Sequence, residues 1–110
     1  MEQLLDPLDV KVRVVHGFSN KTRLQILESL AEGEKTVTEI VTAVQGNQSN
    51  ISQHLACLKG CGLIQKRTQG KFSYYSLRNE TVQDLLRLFG DLTFEIGRES
   101  ACCEHHIEGE

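Results

Sequence analysis

No hydrophobic run in the 110 residues approaches the roughly 18 that a membrane span needs, so no membrane-spanning helix is expected. The opening MEQLLDPLDV is acidic and lacks the basic segment and long apolar core of a secretory signal. The expected location is therefore the cytoplasm. Thiols are kept reduced there, so the four cysteines point to metal or redox chemistry more than to structural disulfides. No internal repeat or low-complexity linker divides the chain. There is also no Cys-His-Asp arrangement and no phosphate-cradling loop, which argues against a thiol enzyme. The length suits one domain with a modest core, and small chains of this kind often bury further surface in a two-fold dimer.

The most informative shortage is of acid. Between Gly46 and Arg78 there is no Asp or Glu, while Lys59, Lys66, Arg67, Lys71 and Arg78 supply five positive charges. The fifteen acids all lie outside this block, so the formal net charge of −3 conceals a local basic face. A basic stripe in an acidic protein is the electrostatic footprint expected of a small DNA-contacting surface.

Proline is nearly as scarce. Pro7, the only one, opens a helical pattern over about residues 5–17, with Leu8, Val12 and Val15 on one face. A second helix carries Leu24, Leu27, Leu30 and Ala31, with Ser19 or Asn20 as its cap and Gly33 as its stop. A third fits TVTEIVTAV, starting at Thr36 or Thr38 and followed by Gly46. A fourth fits NQSNISQHLACLKGCG, with Asn47 as cap, Ile51, Leu55 and Leu58 as core stripe, and Gly60 or Gly62 at its end. The period then changes. LIQKRTQGKFSYYSL reads as a hairpin turning at Gln69-Gly70-Lys71. A long amphipathic helix follows with Val82, Leu85, Leu86, Phe89, Leu92 and Ile96 on one stripe. Residues 98–110 show no core pattern and read as a flexible tail behind a single domain of residues 1–97. Helices in this order, then a hairpin, predict a mainly α winged helix-turn-helix.

The start of the fourth helix is dense in side chains that both donate and accept: Gln48, Ser49, Asn50, Ser52 and Gln53. Amides can bond adenine in bidentate fashion, and hydroxyls serve bases or phosphates. Lys66, Arg67 and Lys71 on the hairpin are the expected phosphate contacts. At about 100° per residue from Ile51, Cys57 and Cys61 fall near 240° and 280° and His54 near 300°, beside the core stripe and off the polar face. That placement leaves three uses open for the thiols: packing, a redox pair, or part of a metal site. Two thiolates on one helix do not close a site for a soft ion, and Cys102, Cys103, His105 and His106 in the tail are the available further donors. Three thiolates favour soft ions, whereas an added histidine makes Zn(II) a candidate.

NKTRLQILESL and QSNISQHLACLKGCGLIQKRTQGKFSYYSL together resemble the ArsR/SmtB family of winged-helix repressors, over about residues 8–97. The most specific parts are Ser52, His54, Leu55 and Leu58 in the fourth helix and the glycine-turned hairpin ending in Tyr-Ser-Leu. The resemblance implies a homodimer through the first and last helices that binds double-stranded operator DNA when metal-free and releases it on sensing a signal. Within that family the chain lacks a cysteine pair on the third helix, where Thr38, Glu39 and Ile40 stand, and a histidine pattern on the last, where Asp91, Leu92 and Thr93 stand. LACLKGCGL with a C-terminal cysteine is similar to the CmtR-type cadmium/lead sensors. This likeness implies Cys57, Cys61 and Cys102 as ligands and Cd(II) or Pb(II) as inducer, with Zn(II) or As(III) as alternatives. Cys103, His54, His105 and His106 remain further candidate ligands. A thiol-redox repressor of the same fold is the rival reading.

Overall fold

The computed structural model of the chain describes residues 6–100. Five helices and one hairpin follow in the expected order: α1 Pro7–Phe18, α2 Lys21–Leu30, α3 Val37–Val44, α4 Gln48–Gly60, β1 Ile64–Gln69, β2 Phe72–Leu77 and α5 Glu80–Ser100. The α3–α4 pair is the helix-turn-helix, and the antiparallel β1–β2 pair is the wing. Among the described residues no helix is long and apolar enough to cross a membrane.

Short polar side chains start each helix by accepting backbone N–H groups that have no partner within the helix. Asp6 accepts from Leu8 at 3.0 Å ahead of Pro7, and Asn20, not Ser19, accepts from Arg23 at 3.0 Å. Thr36 and Glu39 form a reciprocal capping box at α3. Asn47 accepts from Asn50 at 2.8 Å, and Asn79 accepts from Val82 at 3.2 Å.

The core is built around α2. Ile26 and Leu27 are sealed in with Ile40 of α3 and Ile51, Leu55 and Leu58 of α4. Leu63, Ile64 and Val82 then tie the wing and the start of α5 to the same cluster. Each such side chain contributes about 1.5–3 kcal/mol relative to exposure. An isolated bridge between Lys35 and Tyr75 adds residue 35 beside β2, so the wing is anchored to the segment ahead of α3.

Several details add to the sequence expectations. At α3 the left-handed residue is Gln45 (φ 57°), not Gly46. Gly46 instead lets Ile51 come close: a Cβ there would lie 3.0 Å from the Ile51 Cδ1. The apolar face of α1 is largely uncovered, with Leu8, Val12 and Val15 at 64%, 60% and 61% exposure. Its core contacts come from Val14, Gly17 and Phe18 instead. Of the apolar stripe on α5, Val82 is buried and Leu85 and Leu86 are half-buried, while Phe89, Leu92 and Ile96 are exposed. α5 also continues through Ser100, so residues 98–100 of the expected tail are helical.

Candidate DNA-facing surface and thiol site

The helix-turn-helix leaves the polar start of α4 open. Gln48, Ser49, Asn50, Ser52 and Gln53 are all exposed, whereas Ile51, Leu55 and Leu58 on the opposite face anchor the helix. The exposed residues therefore occupy a rigid element that a duplex groove can receive. On the wing, Gly70 has φ 63° and forms with Lys71 a two-residue loop between the paired Gln69 and Phe72. Lys71 sits exposed at the tip. Lys66 lies 5.9 Å from the centroid of the Tyr75 ring. Arg67, its neighbour, points to the other sheet face, because strand side chains alternate. Its guanidinium holds Glu34 with bonds of 3.0 and 2.6 Å.

The far end of α4 carries the thiols. Cys61 is the C-cap. Gly62, at φ 82°, carries the chain into a Schellman closure in which the Leu63 N–H donates to the Leu58 carbonyl at 3.1 Å and the Gly62 N–H to the Lys59 carbonyl at 3.0 Å. That closure fixes the last turn, and with it the spacing of Cys57 and Cys61. Both thiols are free and half-buried, and Cys57 is near enough to Cys61 to bear on its proton. Burial, then the neighbouring Cys57, push the Cys61 thiol above its ordinary range, while the Arg23 and Arg13 cations pull the other way.

Cys61 also lies against α1. A Cβ placed on Gly17 would sit 3.7 Å from the Cys61 Sγ, in ordinary contact, and 2.5 Å from the Leu63 Cδ1, so a larger residue there would have to shift the end of the Leu63 side chain. Arg23 holds the same end of α1. Buried at 8% exposure, it donates from Nε to the Gly17 carbonyl at 3.2 Å and from Nη2 to the His16 carbonyl at 2.8 Å. A cation there suits the negative end of the α1 dipole. Arg13, Gly17, Arg23 and Glu34 were not singled out from the sequence. Their roles depend on contacts between elements, and no local pattern announces them.

His54 is half-buried on α4. Among the described residues no three His, Cys, Asp or Glu side chains converge as a metal cluster. Cys102, Cys103, His105 and His106 lie outside the described residues. The Cys57–Cys61 pair nevertheless offers two soft donors, sulfurs one turn apart and partly shielded.

The profile described as bacterial regulatory protein, arsR family, matches residues 20–66, which run from the cap of α2 into β1. A probable mercury resistance operon repressor of Streptomyces lividans is 33% identical over 102 residues, spanning 93% of this chain and 81% of the relative. The chain belongs to the arsR family. A cadmium resistance transcriptional regulatory protein CadC homolog of Staphylococcus aureus is 35% identical over 82 residues, 74% of this chain and 67% of that protein. A homodimeric winged helix-turn-helix DNA-binding domain from Mycobacterium bovis, solved by NMR, superposes with a TM-score of 0.77 at 36% identity, covering 86% of this chain and 92% of that one. As an arsR-family member the chain is a transcriptional regulator, not an enzyme.

Proposed function

We propose that the chain is a metal-responsive repressor whose metal-free homodimer holds operator DNA and lets it go on binding a thiophilic ion, Cd(II) or Pb(II). The observation that carries this reading is the thiol pair at the end of α4, with Cys61 set against Gly17 of α1. A ligand there touches two helices at once: the one whose other end faces DNA, and one whose apolar face is uncovered. The mercury and cadmium resistance regulators to which the chain is similar support the soft-metal part. The homodimeric neighbour and the open apolar faces of α1 and α5 support the dimer.

Cys57 and Cys61 are assigned as ligands, with Cys102 completing the set and Cys103, His54, His105 and His106 as further donors. A bound ion would tie the end of α4 to the C-terminal segment. Gln48, Ser49, Asn50, Ser52 and Gln53 read the groove, while Lys66 and Lys71 bind backbone phosphate. The folded unit extends through α5 in this scheme, and the segment beyond it contributes ligands.

Anaerobic titration with Cd(II), Pb(II), Hg(II) and Zn(II), followed by thiolate-to-metal absorption with and without bound DNA, tests the proposal. Linkage requires DNA to weaken metal binding by the factor by which metal weakens DNA binding. Equal metal affinity for free and DNA-bound protein would remove the metal from regulation. The placement of two free thiols one helical turn apart favours one rival, a thiol-redox repressor. DNA release by oxidant alone, with no response to metal under anaerobic conditions, would select it.

A further inference from the structure

Arg67 is the most heavily engaged side chain of the wing. Its Nε and Nη2 donate to the two carboxylate oxygens of Glu34 at 3.0 and 2.6 Å, and its Nη1 donates to the Gln69 side-chain oxygen. Its guanidinium lies 4.6 Å from the centroid of the Tyr74 ring, the residue paired with it across the hairpin. Two forked bonds and a stacked face are the geometry at which arginine is hardest to replace.

Glu34 is not part of the hairpin. It precedes Lys35, whose backbone exchanges bonds of 2.9 and 2.8 Å with Tyr75 of β2. The 34–35 segment and β1 thus flank β2 on opposite sides. The Glu34–Arg67 pair reaches over β2, with Tyr74 beneath the guanidinium. It clasps the outer strand of the wing to the segment that leads into α3, the first helix of the helix-turn-helix.

We propose that Arg67 is a positioning residue: through Glu34 it sets the angle of the wing against the α3–α4 pair, and phosphate contact falls to Lys66 and Lys71. This rests on the DNA-binding reading above. Glu34, an acid outside the acid-free block, is then a working part of the DNA-binding surface rather than a charge that opposes it.

The test uses the full chain and a labelled duplex selected by the wild-type protein from a random-sequence pool. Glu34→Gln and Arg67→Gln should each weaken binding by about two- to five-fold, the range for losing an exposed but well-formed ion pair. The double variant should be no weaker than either single one, because both remove the same link. The slope of log affinity against log salt should stay at the wild-type value in all three. The proposal is overturned if Arg67→Gln alone lowers that slope by about 0.9, the signature of one lost phosphate contact, while Glu34→Gln tightens binding. It is equally overturned if neither substitution alters affinity. Amide exchange across residues 66–74 gives a readout without DNA and should accelerate in both single variants. Unchanged exchange there overturns the clasp. Failure of the wild type to bind any duplex, with exchange accelerated as expected, would instead count against the DNA-binding reading alone.

Discussion

At the scale of single residues, the two thiols decide the most. Cys57 and Cys61 are held one turn apart by a helix end that is itself closed by backbone bonds, so their spacing persists without a ligand. Replacing either by serine should remove the thiolate-to-metal absorption and the metal-driven release, while metal-free DNA binding persists. A Cys57→Ser protein that still releases DNA on adding metal would place sensing elsewhere. The proton competes for the same sulfur lone pairs, so metal affinity should rise with pH. Burial and the adjacent Cys57 favour the protonated form of Cys61. The rise should therefore continue above the ordinary thiol range. Competition titrations at several pH values check this, and a flat profile would show that Cys61 is not a ligand. The pairing of these cysteines was legible from their spacing alone. The approach of Cys61 to Gly17, and the two arginines near Cys61, were not. Those depend on where α1 ends in space, to which the local pattern near residue 57 is blind.

At the scale of elements, the punctuation was the most readable part of the sequence. Asn47, Thr36 and Asn20 cap helices because short polar oxygens satisfy the N–H groups that a helix start leaves free. The hairpin was readable because Gly70 stands between two β-prone runs. The end of α3 was harder. Gln45 takes the left-handed turn while Gly46 makes room for Ile51, so the glycine marked the boundary for a reason other than its usual one. Gly62 plays the usual part. Its φ of 82° is costly for any residue with a Cβ, so Gly62→Ala should destabilise the fold by about 1–2 kcal/mol. Because Gly62 directly follows Cys61, the same variant should also weaken metal binding through loss of the fixed turn. Chemical denaturation and metal titration of the one variant measure both. A stability loss with unchanged metal affinity would mean that the thiol spacing does not depend on the Schellman closure.

At the scale of the whole molecule, the amphipathic stripes of α1 and α5 were legible, but what they pack against was not. Periodicity reports that a face avoids water. It does not say whether the chain's own core or a second copy covers it. Leu8, Val12 and Val15 on α1, with Leu88, Leu92, Phe94 and Ile96 on α5, stay exposed in the single chain, and this much apolar surface on two helices is the mark of an interface. The Phe18–Phe89 edge contact, with centroids 4.9 Å apart, joins the end of α1 to the middle of α5. Both uncovered faces are thus coupled within one protomer. If they meet their equivalents across a two-fold axis, each recognition helix gains a partner one helical turn of DNA away. Placing a charge at Val12 and at Leu92, as Val12→Asp with Leu92→Asp, should then yield a folded monomer in sedimentation, because neither side chain is needed by the core. Its DNA affinity should drop by about a hundred-fold or more, since the second half-site no longer binds at the high effective concentration set by the first. Metal binding should fall with it if the completing ligand comes across the interface, and should survive if that ligand comes from the same chain. The same variant therefore also reports which protomer supplies the third donor, to which spacing and periodicity within one chain are blind.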